Sequence, residues 1–214
     1  MIEPVPDVFL DFWHCNSTGV YSGVIANGNG NSNYESNLDT TFLRGLRKSD
    51  SLGVTSVHTL FPGHYTGRAT HIHVLSHPAN ETTVNKNNNT ISGLYTSNSS
   101  HVGQIFFDQD LISRVEETES YTPNEQELTT NAEDGILLQE LNDNIDPFVE
   151  YVLLGEDVSD GIFAWISLVI DSSESTSVTA AAYYTEEGGV ENENAGMGMG
   201  GPGGGGPPSG APPS

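Results

Sequence analysis

A chain of 214 residues is long enough for one domain with a sizeable core. Its 29 acidic side chains stand against 6 basic ones, a net charge of −23, and so acidic a surface argues against nucleic acid or anionic membrane as a partner. No apolar run is long enough to span a bilayer, and Met1-Ile2-Glu3-Pro4 lacks the basic and apolar regions of a secretory leader.

Taken in chain order, Val8 to Cys15 is apolar and β-prone and reads as a core strand. Asn16 to Gly19 reads as a turn, with Tyr21 on the return path, and Asn27 to Asn37 is a Gly/Asn/Ser loop without periodicity. Thr41 to Leu46 and Val54 to Leu60 read as strands around a turn at Ser49 to Gly53. A Pro-Gly turn leads into a strand from Thr70 to Leu75, where alternation sets His71 and His73 on one face and sends Ile72 and Val74 into a core. Asn80 to Ser100 carries few apolar residues and reads as a surface insertion. His101 to Phe107 returns to strand. Asp108 then caps a short helix to about Glu116, with Leu111, Ile112 and Val115 on its inner face. Glu117 to Asp134 is polar loop, Phe148 to Leu154, Gly161 to Ile170 and Val178 to Thr185 read as strands, and Trp13 and Trp165 as core. Several short strands and little helix predict an all-β antiparallel sandwich with long surface loops over residues 1–185, and a disordered Gly/Pro-rich tail over 186–214.

Chemistry concentrates in FPGHYTGRATHIHV, Phe61 to Val74, which holds Tyr65, Arg68, His71 and His73 within nine residues. H-x-H on a strand supplies two imidazoles to one face, and a phenol delivered by the preceding turn completes a nitrogen/oxygen donor set for a metal. The same pair also suits two solvated histidines on a half-buried strand. Gly63 and Gly67 supply turn freedom that lets Tyr65 and Arg68 turn inward. Cys15 is the sole cysteine, which forbids an internal disulfide, and sequons begin at Asn16, Asn80, Asn88 and Asn98. The sequons point to a secreted protein.

A second stretch, DFWHCNSTGVYSG (Asp11 to Gly23), joins the first. Together, W-H-C-N-x-T-G-x-Y-S-G and F-P-G-H-Y-x-G-R-x-x-H-I-H resemble the intradiol ring-cleavage dioxygenases, most closely their secreted fungal branch, from about Pro4 to Ile170. The resemblance implies a non-haem Fe(3+) held by Tyr21, Tyr65, His71 and His73. In it Tyr65 and His73 correspond to axial ligands, Tyr21 and His71 to equatorial ones, and the Tyr65 counterpart is displaced by substrate. It also implies Arg68 as a cation that stabilises charge on the substrate ring, and Gln104 as a polar neighbour of the metal. The implied substrates are a small aromatic diol, of the catechol or hydroxyquinol type, and O2, with muconate-type diacids as products. Relatives in the fungal branch carry further strands and a leader ahead of the segment like Glu3 to Asp7, so missing N-terminal strands are expected. Two other readings stand beside this one: a non-catalytic secreted β-sandwich that binds a ligand, and a cupin-like or zinc enzyme using H-x-H.

Overall fold

Val8–Trp13 (β1) sends Leu10 and Phe12 toward one core cluster and Trp13 toward another, and the sheet is built on it. The computed structural model describes residues 3–25, 35–78, 84–85, 90–91, 98–99, 101–143, 145–171, 176–177, 182–185 and 187–192. Arg44–Lys48 (β2) pairs antiparallel with one side of β1, and His71–Pro78 (β3) with the other. Three two-residue strands follow: β4 (Val84–Asn85), β5 (Thr90–Ile91) and β6 (Asn98–Ser99). The rest of the expected insertion lies outside the described residues. His101–Phe106 (β7) pairs with the free edge of β3, giving the order β2-β1-β3-β7.

Strand β3 is buried on both faces from His71 to His77, which explains why it mixes apolar with polar side chains. Ile72, Val74 and Ile105 share one face, as the alternation predicts, and pack against Leu111, Ile112 and Val115 of α1 (Gln109–Glu116). Asp108 caps α1 by accepting a hydrogen bond from Leu111 N at 2.8 Å, as expected from sequence. The opposite face of the sheet carries His71 and His73.

The expectation of an all-β sandwich is wrong. Among the described residues the fold is mixed, with two α-helices and open sheets. The second helix, α2 (Gly135–Asn142), escaped the sequence reading because GILLQELN buries only Leu137, where α1 of the same length shows a three-residue apolar face. Asp134 makes it possible: its Oδ1 accepts from Ile136 N at 2.8 Å and Leu137 N at 3.0 Å, satisfying donors a helix start leaves unpaired. Burial of Leu137 against Ala69 and Phe106 then pins the helix beside the sheet. A buried leucine side chain contributes on the order of 1.5–3 kcal/mol.

The remaining strands form small pairs rather than a second large sheet among the described residues. β8 (Glu150–Leu153) pairs with β9 (Ile162–Trp165), β10 (Thr176–Ser177) with β6, and β11 (Ala182–Thr185) with β12 (Gly188–Glu191). Trp165, expected in the core, is 43% exposed and stacks on exposed Phe163 with ring centroids 5.8 Å apart. Val54 to Leu60 forms no strand, and Val54, Val57 and Leu60 are exposed, so this segment has no apolar face to press onto a sheet. The chain beyond Asn192 lies outside the described residues.

Candidate metal centre

Strand register assembles the site. Arg44, Trp13, His73 and Gln104 face one another in turn across β2, β1, β3 and β7, so one row crosses the whole sheet on the face opposite α1. The Arg44 guanidinium lies 5.2 Å from the Trp13 ring centroid, and the Trp13 ring lies 5.8 Å from that of His73. Trp13 is therefore a wall of the histidine site, not only core. His71 sits one step along β3, opposite Phe106.

Two loops bring phenols to this row. Asn37 holds the first by donating from Nδ2 to the carbonyls of Tyr21 at 2.5 Å and Val24 at 2.7 Å. The Tyr21 ring then packs edge-on to Trp13, with centroids 4.8 Å apart. Tyr65 comes from the turn ahead of β3. Gly67 in that turn has φ +91°, a conformation that strains any residue with a side chain, and its N–H donates to Thr129 Oγ1 at 2.8 Å. Gly63 is needed for a different reason from the one expected: a Cβ there would stand 2.7 Å from the Ser17 carbonyl, so only glycine lets the two loops touch.

The four polar tips meet at His71. Its Nδ1–H donates to Ala69 O at 2.6 Å, which leaves Nε2 as the lone-pair nitrogen of a neutral ring. Around that one nitrogen stand Tyr21 Oη at 3.4 Å, Tyr65 Oη at 3.3 Å and His73 Nε2 at 3.2 Å. One lone pair cannot satisfy three such neighbours. His73 Nδ1, also buried, has no hydrogen-bond partner among the described residues. At the roughly 2.0–2.1 Å bonds usual for nitrogen and oxygen ligands, neighbouring donors in a tetrahedral set stand about 3.3 Å apart. The observed spacings are compatible with donors around a cation, and the Tyr21 and Tyr65 hydroxyls also bond each other. Hard phenol oxygens beside imidazoles suit iron. No group of three or more His, Cys, Asp or Glu side chains is placed to hold a metal among the described residues, which disfavours a zinc or cupin-like site.

Electrostatics prepare the donors. Burial raises the pKa of Tyr21 and Tyr65, while the Arg68 charge pulls both back down. Burial, then the Arg68 charge, lowers that of His71; burial and the neighbouring His71 lower that of His73. Without a cation the phenols keep their protons and the imidazoles stay neutral. A cation held by these donors would release the phenol protons.

Arg68 is buried. Its Nε donates to Asp134 Oδ2 at 2.9 Å, and its Nη2 donates to Gln104 Oε1. Gln104 thus neighbours both Arg68 and His73. Asp134 escaped the sequence reading as anything but the end of a loop, although an Asp-Gly step ahead of Ile-Leu-Leu is a helix-start signal. The Asp11–Arg44 ion pair, at 2.9 Å, also went unread.

His64, His14 and His58 are engaged or placed elsewhere. His64 donates from Nδ1 to Glu116 Oε1 at 2.8 Å and from Nε2 to Gln126 O at 2.9 Å, so it ties the Tyr65 turn to α1 rather than reaching the donors. His14 bonds Cys15 O at 2.8 Å and Thr59 Oγ1 at 2.7 Å, and His58 is exposed. The Cys15 thiol donates to Gly63 O at 3.2 Å, and burial pushes its pKa up to about 12, which keeps it a packing group. Asn16 Oδ1 accepts from Thr18 N, Thr18 Oγ1 and Val20 N, each at 3.0 Å, so that sequon is also the organiser of its own turn. Of the other three, Asn80 and Asn88 lie outside the described residues and Asn98 is described only as strand.

No protein-family model and no curated protein matches the chain. Solved structures do. An intradiol ring-cleavage dioxygenase from Tetranychus urticae superposes with a TM-score of 0.60 at 23% identity, covering 81% of this chain and 76% of that one. A second dioxygenase structure gives a TM-score of 0.61, also at 23% identity, covering 81% and 75%. The chain thus has the fold of the intradiol ring-cleavage dioxygenases, with a buried tyrosine–histidine cluster on its central sheet.

Proposed function

We propose that this protein is a non-haem ferric dioxygenase that opens catechol-type rings between the two hydroxyl-bearing carbons, with both atoms of O2 entering a muconate-type diacid. The observation that carries this reading is the meeting of two buried phenols and two buried imidazoles at 3.2–3.4 Å on this fold. Tyr21, Tyr65, His71 and His73 are the proposed ligands. When bound, the ferric ion supplies chelation of both catechol oxygens and activation of the ring toward O2.

The chain's own groups do the rest. Ala69 O holds the His71 tautomer, so its Nε2 lone pair faces the site without rearrangement. Arg68 favours phenolate over phenol at both tyrosines and offers fixed positive charge where negative charge develops on the ring. Tyr65 sits on a turn rather than on a strand of the sheet, and it is the phenol that would give way to substrate and take a substrate proton on Oη. Gln104 commits its carbonyl to Arg68, so its amide nitrogen is the group it can offer a substrate. The motif likeness to the secreted fungal branch makes plant-derived catechols and hydroxyquinol the first substrates to try.

Loading the purified protein with ferrous iron under argon, then admitting air, should give a red to burgundy species from phenolate-to-ferric charge transfer. Oxygen uptake should follow on adding catechol or hydroxyquinol. A colourless protein that takes zinc instead would end this reading. A coloured protein with no uptake on any catechol would make it a ligand-binding relative.

A further inference from the structure

Arg68 would be an unusual residue to leave unsupported, because a guanidinium rotates freely and its value beside the donors depends on direction. Its support comes from far away in sequence. Asp134 is fully buried, and its two oxygens divide the work. Oδ2 accepts from Arg68 Nε at 2.9 Å and from Ala69 N at 2.7 Å, while Oδ1 accepts from the first turn of α2. Ala69 is the residue whose carbonyl fixes the His71 tautomer. One carboxylate therefore grips the guanidinium and the backbone leading into the H-x-H strand together.

We propose that Asp134 is the positioning residue of the site: it holds Arg68 by Nε and anchors the Ala69 backbone, so that Arg68 Nη2 reaches Gln104 beside His73. This rests on the dioxygenase reading and adds to it a residue that touches neither substrate nor metal. The alternative is that Asp134 serves only as the N-cap of α2. The two differ in what a substitution changes, because asparagine caps helices as well as aspartate does but cannot accept on both arms. Glutamate keeps the charge and moves the carboxylate by one methylene.

The test compares wild type, Asp134→Asn and Asp134→Glu, each loaded with iron. The expected result is full iron content in both variants, a displaced charge-transfer band, kcat lower by about tenfold or more, and KM within about threefold. Anaerobic titration with catechol should show binding little changed. If either variant folds, holds iron, keeps the wild-type band and turns over normally, the proposal is overturned. Failure of both variants to fold would make Asp134 a structural residue and overturn it equally. An inactive, iron-free wild type would instead defeat the dioxygenase reading itself, whatever the variants do.

Discussion

His71→Ala is expected to leave a protein that takes up no ferric iron and consumes no oxygen with catechol. His71 Nε2 is the point on which Tyr21, Tyr65 and His73 converge, within 3.2–3.4 Å, so its loss removes one donor and the centre of the arrangement. Losing a group that merely supports a ligand costs roughly 10–100-fold in affinity, and losing a ligand costs more. The measurement is metal content after loading and dialysis, read beside thermal stability. Wild type should be stabilised on loading, by about 2.7 kcal/mol when free iron stands at one hundred times its dissociation constant. The variant should show no such gain. A His71→Ala protein that keeps stoichiometric iron and the wild-type colour would mean that the cluster is a hydrogen-bonded core and that any metal sits elsewhere.

Arg68→Ala should be costly twice over. Arg68 and Asp134 are 1% and 0% exposed at the side chain, and removing one member of such a pair leaves the other charge buried alone, at about 3–5 kcal/mol. That is a large part of the roughly 5–15 kcal/mol that holds a domain folded. Turnover should fall by roughly 10²–10³ as well, since the cation no longer meets the charge developing on the ring. Chemical denaturation measures the first loss and steady-state oxygen uptake the second. Arg68→Lys separates them: a lysine keeps a charge near Asp134 but cannot fork between Asp134 and Gln104, so it should recover more stability than turnover. Wild-type stability in Arg68→Ala would contradict the burial of this pair.

What could be read from the residues themselves was local, and only the resemblance joined Tyr21 and Gln104 to the H-x-H strand. Period-two alternation put His71 and His73 on one face and Ile72 and Val74 on the other, and Asp108 announced α1. The row from Arg44 through Trp13 and His73 to Gln104 could not be read, because it depends on register between strands tens of residues apart. Arg68 and Asp134 are 66 positions apart, and nothing in either neighbourhood names the other. The all-β expectation failed at α2, where one buried side chain, Leu137, and one cap decide the matter rather than a long periodic pattern. Trp165 was misplaced because alternation reports which residues share a face, not whether that face is covered.

The donors are held by unequal scaffolds. His73 lies where β3 is hydrogen-bonded on both flanks, and His71 where it is bonded to β7. Tyr65 rests on a turn held by side-chain hydrogen bonds rather than by a strand ladder, and Tyr21 on a loop held by Asn37. Backbone amides in doubly flanked strands exchange with solvent deuterium only through near-global opening, whereas turns open by small local fluctuations. The imidazole half of the cluster should therefore last as long as the folded state, while the phenol half detaches and returns many times within that lifetime. Exchange at residues 73–76 much slower than at 64–68 is the expected pattern; equal rates would remove the distinction. A metal held by these four donors would have its two imidazoles on the more persistent scaffold and its two phenols on the less persistent one.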